Sequence, residues 1–336
     1  MNQKILVAGG AGYIGSHVCW RLHAAGYVPV VVDDLSAGHQ WAVKWGPFIQ
    51  GDIGDADLIG EICRDYQPLA LMNFAAFTDV AWSMRNPEAF HDNNVTRAAR
   101  LFETVKACGL RHVVFSSTAA VYGIPGPDGS VTEDMPLRPA NPYGQSKIAA
   151  ENALRNLCDA DFSSFILRYF NAAGAAPAGI GIGEAHWPET NLVPRVILSA
   201  LGYEGDISVF GTDYPTPDGT AIRDYIHVCD LADAHIAALE YLLKGGTGDT
   251  CNLGTGSGHS VRQVLASVQH HFKEKLRIHE CPQRPGDIPV MVANADKAAR
   301  ILGWKPRYDL EETIASAVHW HRSDFYRQLV GTWLEA

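Results

Sequence analysis

Continuous apolar segments, separated by longer helix-like segments, run through the first half of this chain of 336 residues and limit the folds that it can adopt. The apolar segments are KILVAGG, VPVVVDD, LALMNFAA, RHVVFSST and FSSFILRYF. Strands that are apolar along their whole length belong in a parallel sheet that helices cover on both faces. The alternation therefore predicts an α/β fold with a doubly wound, Rossmann-type parallel sheet.

The pattern changes near residue 171, where glycine- and proline-rich stretches such as AAGAAPAGIGIGE and GTDYPTPDGTAIRD begin. We therefore expect a first domain over residues 1–170 and a smaller, irregular region over 171–336. We allow for a return of the chain to the first domain around 220–255. Because no flexible linker separates the halves, a cleft between them is expected.

The composition narrows the class of partner. A formal net charge of −10 is the opposite of the basic surface that nucleic acids or anionic membranes require. No basic, hydrophobic leader and no apolar segment of membrane-spanning length is visible, so we expect a cytoplasmic protein without membrane contacts. Seven scattered cysteines without a CxxC pair indicate reduced thiols rather than disulfides or a zinc site.

A glycine-rich loop follows the first predicted strand. Gly9, Gly12 and Gly15 form a GxxGxxG pattern between that strand and a helix predicted from Gly12 to about Ala25. Glycines let a pyrophosphate approach the backbone, and the helix N-terminus supplies free N–H groups. In this context the pattern indicates a dinucleotide site, with an ordinary glycine-rich turn as the alternative.

An acidic residue ends the second predicted strand. Asp33 lies eighteen residues after Gly15, where a carboxylate accepts hydrogen bonds from the adenosine ribose and repels a 2′-phosphate. The cofactor is therefore expected to be NAD rather than NADP. Asp52 and Ile53, after a third short strand, are expected near the adenine, with an ordinary turn as the alternative.

A tyrosine and a lysine share one face of a predicted helix. NPYGQSK begins that helix, since Asn141 can cap it and Pro142 suits its first turn. Tyr143 and Lys147 lie one turn apart on the inward face, although a lysine there can also extend its head to water. We interpret Tyr143 as a general base. Its pKa must then fall by about 3 units, roughly 4 kcal/mol, through Lys147 and the positive nicotinamide ring.

Hydroxyl side chains end the segment RHVVFSST, at the same edge of the predicted sheet. Ser116 and Thr118 are the residues expected there. Thr118 is expected to share a hydrogen bond with a substrate oxygen and to relay its proton to Tyr143.

Motifs along nearly the whole chain resemble one family. They are GGAGYIGSH, FSSTAAVYG, NPYGQSK, RYFNAAG, RDYIHVCDLA and RPGDIP, in that order. The chain resembles the extended short-chain dehydrogenases/reductases and, within them, the UDP-glucose 4-epimerases. The glycine loop and YxxxK are typical of the whole superfamily, whereas RDYIHV followed by RPGD is far more specific.

The resemblance implies a reversible inversion at C4 of a UDP-hexose, UDP-glucose or UDP-galactose, through a 4-keto sugar. Tyr143 would take the C4 hydroxyl proton while a hydride moves from C4 to NAD and later returns on the other face. Since the net redox change is zero, NAD should remain bound. The family also implies a homodimer that pairs the helices near residues 88–108 and 141–158.

The resemblance also implies site residues. Those expected around the NAD are Gly9, Gly12, Tyr13, Ile14, Gly15, Asp33, Asp52, Ile53, Phe74, Ala75, Ala76, Asn93, Ser116, Tyr143, Lys147 and Tyr169. Those expected around the UDP-sugar are Thr118, Asn171, Asn191, Leu192, Phe210, Arg223, Arg284, Asp287 and Met291. Arg223 and Arg284 would hold the diphosphate, since an acidic chain needs local cations for it, with a surface ion pair as the alternative.

Two alanines argue for epimerisation. Related dehydratases and decarboxylases carry an acid just after the hydroxyl residue, whereas this chain has Ala119 and Ala120. Dehydration needs an extra acid and base that alanines do not offer. The alternatives left open are C4 epimerisation of another UDP-sugar (an N-acetylhexosamine, a pentose or a uronic acid) and a non-catalytic NAD-binding regulator.

Two positions depart from the family pattern. Thr78 stands where relatives often have a lysine that reaches the cofactor, so cofactor affinity is expected to differ. Met291 lies four residues after Asp287, at a position that lines the sugar pocket in the family. No metal site is expected, and His270, His271, His319 and His321 are interpreted as surface or packing residues.

Overall fold

The structure of the chain, a computed structural model, describes residues 3–126, 129–284 and 286–335. Its strands are β1 (Lys4–Ala8), β2 (Val28–Asp33), β3 (Phe48–Gln50), β4 (Leu71–Asn73), β5 (His112–Thr118), β6 (Ser130–Val131), β7 (Ser163–Tyr169), β8 (Asn171–Ala173), β9 (Ile207–Phe210), β10 (Ile222–His227), β11 (Asp249–Leu253), β12 (Gly258–Ser260), β13 (Ile278–Cys281) and β14 (Val290–Ala293). Pro285, in the RPGDIP motif, lies outside the described residues.

The helices occupy most of the chain between these strands. They are α1 (Tyr13–Ala24), α2 (Ala56–Tyr66), α3 (Val80–Arg85), α4 (Pro87–His91), α5 (Ala98–Ala107), α6 (Pro142–Leu157), α7 (Leu192–Ala200), α8 (Val228–Leu243), α9 (Val261–His270), α10 (Asp296–Leu302), α11 (Leu310–His321) and α12 (Asp324–Glu335). A π-helical turn, Asp92–Arg97, joins α4 to α5. Among the described residues, no helix is both long enough and apolar enough to cross a membrane.

The main sheet has seven strands in the order β3-β2-β1-β4-β5-β7-β11. All neighbouring pairs are parallel. Successive residues of β1 face opposite sides, so that Ile5 and Val7 enter one core and Leu6 and Ala8 the other. The predicted doubly wound parallel sheet is therefore confirmed, and burial on both faces explains its continuously apolar strands.

Three helices cover each face of this sheet. Apolar residues of α1, α8 and α10 pack into the first core, and those of α2, α5 and α6 pack into the second. The seventh strand, β11, comes from the later half of the chain and pairs with β7, and α8 precedes it. Residues 228–253 thus belong to the main sheet and its helical layer.

The remaining later segments form a smaller region. One sheet has the strand order β12-β10-β14-β6, with β8 also paired to β10, and a second small sheet pairs β9 with β13. Apolar residues of α7, α9 and α11 form the core beneath them. Because β8 directly follows β7 and pairs in parallel with β10, the small region adjoins the carboxyl end of the main sheet.

A buried ion pair ties α6 to the main sheet. Glu151, which is 0% exposed, accepts hydrogen bonds from Arg168 Nε at 2.9 Å and from the Ser117 hydroxyl at 2.6 Å. Arg155 donates to its other oxygen at 2.9 Å. Burial raises the pKa of Glu151, but its bonds to Arg168 and Ser117 outweigh burial and hold the pKa below its usual value. The carboxylate therefore stays ionised and joins α6, β5 and β7.

We expect Glu151→Ala to destabilise the fold severely, because Arg168 would keep a buried charge without its partner. The free energy of unfolding should fall by about 3–5 kcal/mol, measured by urea denaturation. Arg64→Ala, at an exposed ion pair with Glu61, is the control and should change stability by less than about 0.5 kcal/mol. Equal effects of the two substitutions would refute the structural role of Glu151.

Candidate active site

The glycine loop packs closely against backbone atoms of its own and of the loop after β4. Gly9 has a φ of +76°, and a Cβ there would lie 2.4 Å from the Ala75 nitrogen. A Cβ at Gly15 would lie 2.1 Å from the Gly9 oxygen. Gly12, the N-cap of α1, has an ordinary φ of −79° and room for a Cβ, whose nearest neighbour would be 3.5 Å away. Packing thus requires Gly9 and Gly15, whereas Gly12 leaves open the space before the helix N-terminus.

That open space suits a bound anion. The first N–H groups of a helix have no partner within the helix, and the positive end of the helix dipole lies beside them. Tyr13 and Ile14 are the first two residues of α1, and the Tyr13 hydroxyl donates to the Gly174 oxygen at 2.6 Å. The loop therefore fits the pyrophosphate of a dinucleotide and is tied to the smaller region of the fold.

Asp33 fixes the loop from the next strand. Its carboxylate accepts the Ala11 N–H at 3.0 Å and the Leu35 N–H at 2.9 Å, and its side chain is buried. Burial raises the pKa of Asp33, and the two backbone hydrogen bonds oppose that effect. A carboxylate has further acceptor sites, so Asp33 can also accept hydrogen bonds from ribose hydroxyls.

Asp52 has a partner that the sequence did not reveal. Its carboxylate accepts a hydrogen bond from Arg97 at 2.7 Å and from the Gly54 N–H at 2.8 Å, which closes the turn around buried Ile53. Both the ordinary-turn alternative and the adenine-side position are compatible with this arrangement, because the side chain remains partly exposed.

The loop after β4 lies against the glycine loop. The Phe74 N–H donates to the Ala8 oxygen at 2.8 Å, and the Asn73 side chain accepts the Ala75 N–H at 3.0 Å. Ala76 continues this loop and is partly buried, whereas Thr78 is exposed. Phe74 to Ala76 therefore border the same dinucleotide cradle.

An asparagine pair supports that loop from the π-helical turn. Asn94 accepts the Phe77 N–H at 2.8 Å and donates to the Phe77 oxygen at 3.0 Å. It also donates to the Ser146 hydroxyl on α6 at 3.0 Å and accepts from Asn93 at 3.0 Å. Asn94 is thus the residue that connects this loop, the π-helical turn and α6. The sequence analysis named only its neighbour Asn93.

The structure brings Thr118, Tyr143 and Lys147 together at the end of β5. All three are buried, with exposed fractions of 8%, 9% and 4%. The Thr118 and Tyr143 side chains hydrogen bond, and Lys147 Nζ donates to the Ser116 oxygen at 2.9 Å. The lysine head is therefore held inside the protein, and the alternative in which it extends to water is wrong.

The electrostatics of Tyr143 differ from the expectation. Burial raises the pKa of Tyr143 to about 12, and the hydrogen bond with Thr118 offsets only part of that rise. Burial also lowers the pKa of Lys147 to about 8, although Glu151 favours its charged form. In the protein alone, Lys147 does not lower the pKa of Tyr143 as predicted. The effect of burial is the larger one, and the Lys147 ammonium donates to the Ser116 oxygen instead.

Tyr169 lies beside this group. Its hydroxyl forms a short hydrogen bond with the Ser116 hydroxyl, and its ring packs edge-on against His235. Burial raises the pKa of Tyr169. The end of β7 therefore supplies a neutral hydroxyl next to the Lys147 head.

Five of the predicted substrate residues take part in three contacts within the smaller region. The Arg284 guanidinium stacks 3.8 Å from the centre of the Phe210 ring. The Tyr214 hydroxyl donates to Asp287 at 3.4 Å, a contact that the sequence analysis did not foresee. Arg223 on β10 is the strand partner of Met291 on β14.

Met291 packs in a hydrophobic cluster beside the segment that follows Thr118. It is 9% exposed. The other buried members of this cluster are Ala119, Val121 and Tyr122, which closely follow Thr118 in the chain, and Val131 on β6. The methionine therefore packs against the segment that follows β5.

The other three predicted substrate residues lie at element ends. Asn171 begins β8 and is exposed, and Asn191 caps α7, of which Leu192 is the first residue. Glu189 Oε1 accepts the Asn191 N–H at 2.7 Å and its side-chain amide at 3.1 Å. Sequence reasoning missed Glu189, since a lone glutamate in a loop gives no periodic signal.

Comparison with known proteins gives the family. The model of the NAD dependent epimerase/dehydratase family matches residues 5–254. A UDP-glucose 4-epimerase of Rhizobium meliloti (strain 1021) is 48% identical over 321 residues, which is 95% of this chain and 97% of that protein.

Two solved structures agree with the fold. The UDP-glucose 4-epimerase from Brucella ovis in complex with NAD has a TM-score of 0.92 and 41% identity, covering 95% of this chain and 98% of that one. The UDP-glucose-4-epimerase from Stenotrophomonas maltophila, with bound NAD and formylated UDP-arabinopyranose, has a TM-score of 0.91 and 36% identity, covering 96% and 98%.

A Rossmann-type sheet, a glycine cradle and a buried Tyr–Lys pair define a nucleotide-dependent enzyme of the short-chain dehydrogenase type. The chain belongs to the NAD-dependent epimerase/dehydratase family. The resemblance read from its motifs is thereby confirmed.

Proposed function

We propose that this chain is an NAD-dependent isomerase that interconverts UDP-glucose and UDP-galactose at C4. The observation that carries the proposal is the buried group Thr118, Tyr143 and Lys147 at the end of β5, followed by Ala119 and Ala120. This group can remove and return one proton, and no carboxylate stands where dehydration would need one. The names of the most similar relatives support the same activity.

The cradle fits NAD. Gly12 leaves space for the pyrophosphate before α1, and Asp33 offers a carboxylate for the ribose. When bound, NAD would supply a reversible hydride acceptor at C4 of the sugar. Because the cofactor is regenerated in each cycle, the protein retains it.

Tyr143 handles the proton. Its hydroxyl oxygen, hydrogen-bonded to Thr118, takes the C4 hydroxyl proton as the 4-keto sugar forms and returns it afterwards. With a pKa near 12 in the protein alone, a base at neutral pH needs about 5 units of lowering, roughly 7 kcal/mol. The Lys147 ammonium and the positive ring of the bound cofactor are the cations available for this.

The smaller region holds the UDP-sugar in this proposal. Arg223 and Arg284 bind the diphosphate, and Phe210, already stacked by Arg284, lies against the uracil. Asp287 binds the uridine ribose. Burial lowers the pKa of Arg223, because its charged form is poorly solvated. A bound diphosphate would stabilise that charge. Asn171, Asn191 and Leu192 contact the sugar nucleotide.

The function is tested by turnover of a panel of UDP-sugars. Purified protein without added cofactor should convert UDP-galactose to UDP-glucose, read by chromatography, and should release NAD on denaturation. The panel also contains N-acetylhexosamine, pentose and uronic acid derivatives, which cover the alternative substrates. NAD retention without turnover of any sugar would indicate a non-catalytic regulator, and activity only with added NADP would contradict the cycle.

Tyr143→Phe should keep the fold and the bound NAD but lose most turnover, because only the oxygen that transfers the proton is removed. A loss of about 100-fold or more in kcat is expected. Tyr66→Phe, on α2, is the control and should leave kcat unchanged. Near-wild-type epimerisation by Tyr143→Phe would mean that another residue is the base.

Met291 should limit the size of the sugar substituent at C2. If its side chain faces the hexose, the rotating 4-keto sugar shares space with it, although methionine can change rotamer at modest cost. UDP-N-acetylhexosamines should therefore react about 10 to 200-fold less efficiently than UDP-hexoses in kcat/KM. Met291→Gly should narrow that ratio. Equal efficiencies in the wild type, or an unchanged ratio in the variant, would exclude Met291 as the gate.

A homodimer is proposed through α5 and α6. Ala149 and Ala153, one turn apart on α6, are partly exposed and would let a second helix approach closely. Light scattering at micromolar concentration should give twice the chain mass. Ala153→Arg should weaken the dimer. Arg322→Ala, at the end of α11 and outside the proposed interface, should not. A monomeric wild type would refute this assembly.

A cytoplasmic location is proposed as well. All seven cysteines are free thiols, which a reducing compartment preserves. The substrate class, soluble nucleotide sugars, fits the same compartment.

A further inference from the structure

Three potential ligand residues converge in the loop before α7. Glu184, His186 and Glu189 each offer one atom to a common point, and these atoms lie within 4.8 Å of one another. Glu184 and Glu189 are 5% and 6% exposed. This cluster lies outside the group formed by Thr118, Tyr143 and Lys147, and it adjoins the predicted substrate residue Asn191 through Glu189.

The cluster combines two buried carboxyl groups with one histidine. His186 Nδ1 lies 2.5 Å from Glu184 Oε1. Two carboxylates at this depth repel each other unless a proton or a cation compensates them. A dication would satisfy both at once.

A second histidine is buried beside Glu184. His321 is 1% exposed, and its Nδ1 hydrogen bonds to the Ala317 oxygen at 2.8 Å, which leaves Nε2 as the free ring nitrogen. That Nε2 has no hydrogen-bond partner within the described structure. Metal-ligating histidines are oriented in the same way, by donating the other ring N–H to a backbone carbonyl.

One cavity lies between His321 and Glu184, one member of the cluster. His321, Glu184 and Tyr13 line a space of about 10 Å³, enough for a single water molecule or ion. The electrostatic influence of Glu184 on His321 also places the two side chains close together. An unpartnered imidazole nitrogen and a carboxylate therefore face one ion-sized cavity.

We propose that Glu184, His186 and Glu189 bind one divalent transition-metal ion of the zinc or manganese class, with His321 lining the cavity beside Glu184. Two carboxylate oxygens and one imidazole nitrogen form a three-donor set that zinc accepts with a water in the fourth position, whereas magnesium prefers oxygen ligands and retains its waters. On binding the ion, His186 turns its ring nitrogen from Glu184 to the metal.

The ion would position the turn just before α7, which contains Thr190 and Asn191, rather than take part in the chemistry. Glu189 accepts the backbone N–H groups of Thr190 and Asn191, both at 2.7 Å, so a metal on its second oxygen fixes the start of α7. This consequence rests on the proposed function, in which Asn191 and Leu192 contact the sugar nucleotide. Removal of the metal should raise KM for the UDP-sugar more than it lowers kcat.

The binding test does not depend on turnover. The full-length protein, with its bound cofactor, is dialysed against a chelator and titrated with ZnCl2, MnCl2 or MgCl2, followed by calorimetry and elemental analysis. We expect about one zinc or manganese ion per chain and a higher melting temperature, and no comparable binding of magnesium. Failure to bind zinc or manganese at micromolar concentration would overturn the proposal.

Variants locate the ion. Glu184→Gln and Glu189→Gln should each weaken binding by at least about 10-fold, because each removes a ligand. His319→Gln, at an exposed histidine on α11, is the control and should bind as the wild type does. Circular dichroism and NAD content verify that the variants fold. Unchanged stoichiometry and affinity in folded Glu189→Gln would place the ion elsewhere and refute this site.

The outcomes separate the two proposals. Metal bound by the wild type and lost in Glu189→Gln, in a protein that turns over no UDP-sugar, would support the site and contradict only the proposed function. Turnover of UDP-galactose without any metal uptake would support the function and contradict the site.

Discussion

The buried pair of Glu151 and Arg168 is the interaction on which the arrangement of the active site depends. Glu151 lies one turn after Lys147 on α6, and it bonds Ser117 on β5 and Arg168 on β7. Because a buried charge without its partner is costly, the three elements can adopt only the register that completes this contact. That register places Tyr143 and Lys147 over the strand that carries Ser116 and Thr118, and it does so without using either of these two side chains.

The same burial that orders the site also makes it depend on its ligands. Burial raises the pKa of Tyr143 and lowers that of Lys147, so desolvation disfavours the charged form of both groups. Tyr143 is therefore neutral in the protein alone, and in the proposed function its reactivity depends on positive charges that include the bound cofactor. Arg223 follows the same principle in the smaller region, where its burial favours an anionic partner. A chain of net charge −10 can in this way bind a diphosphate through a few local cations.

Sequence patterns predicted the features that depend on neighbouring residues. The apolar strands, the glycine loop before α1, Asp33 at the end of β2 and the helix that begins at Asn141 all follow from short-range spacing. Their predicted elements are present in the structure. For Tyr143, the sequence predicted a pKa lowered by Lys147 together with the bound cofactor, whereas burial raises the pKa in the protein alone. One turn of helix fixes the distance between two side chains along the chain, but not how much solvent surrounds them or where the lysine head points.

The sequence by itself determined the sheet class, the family and the residues around which chemistry was expected, because each of these is encoded in contiguous motifs. Only the tertiary structure decided that β11 joins the main sheet, that Asn94 holds the loop after β4, and that His321 lies beside Glu184. These contacts join residues far apart in the chain, and no periodic sequence pattern identifies the partner of a buried polar residue. Packing determines the partner, because each buried polar group needs a hydrogen bond or an opposite charge once water is excluded.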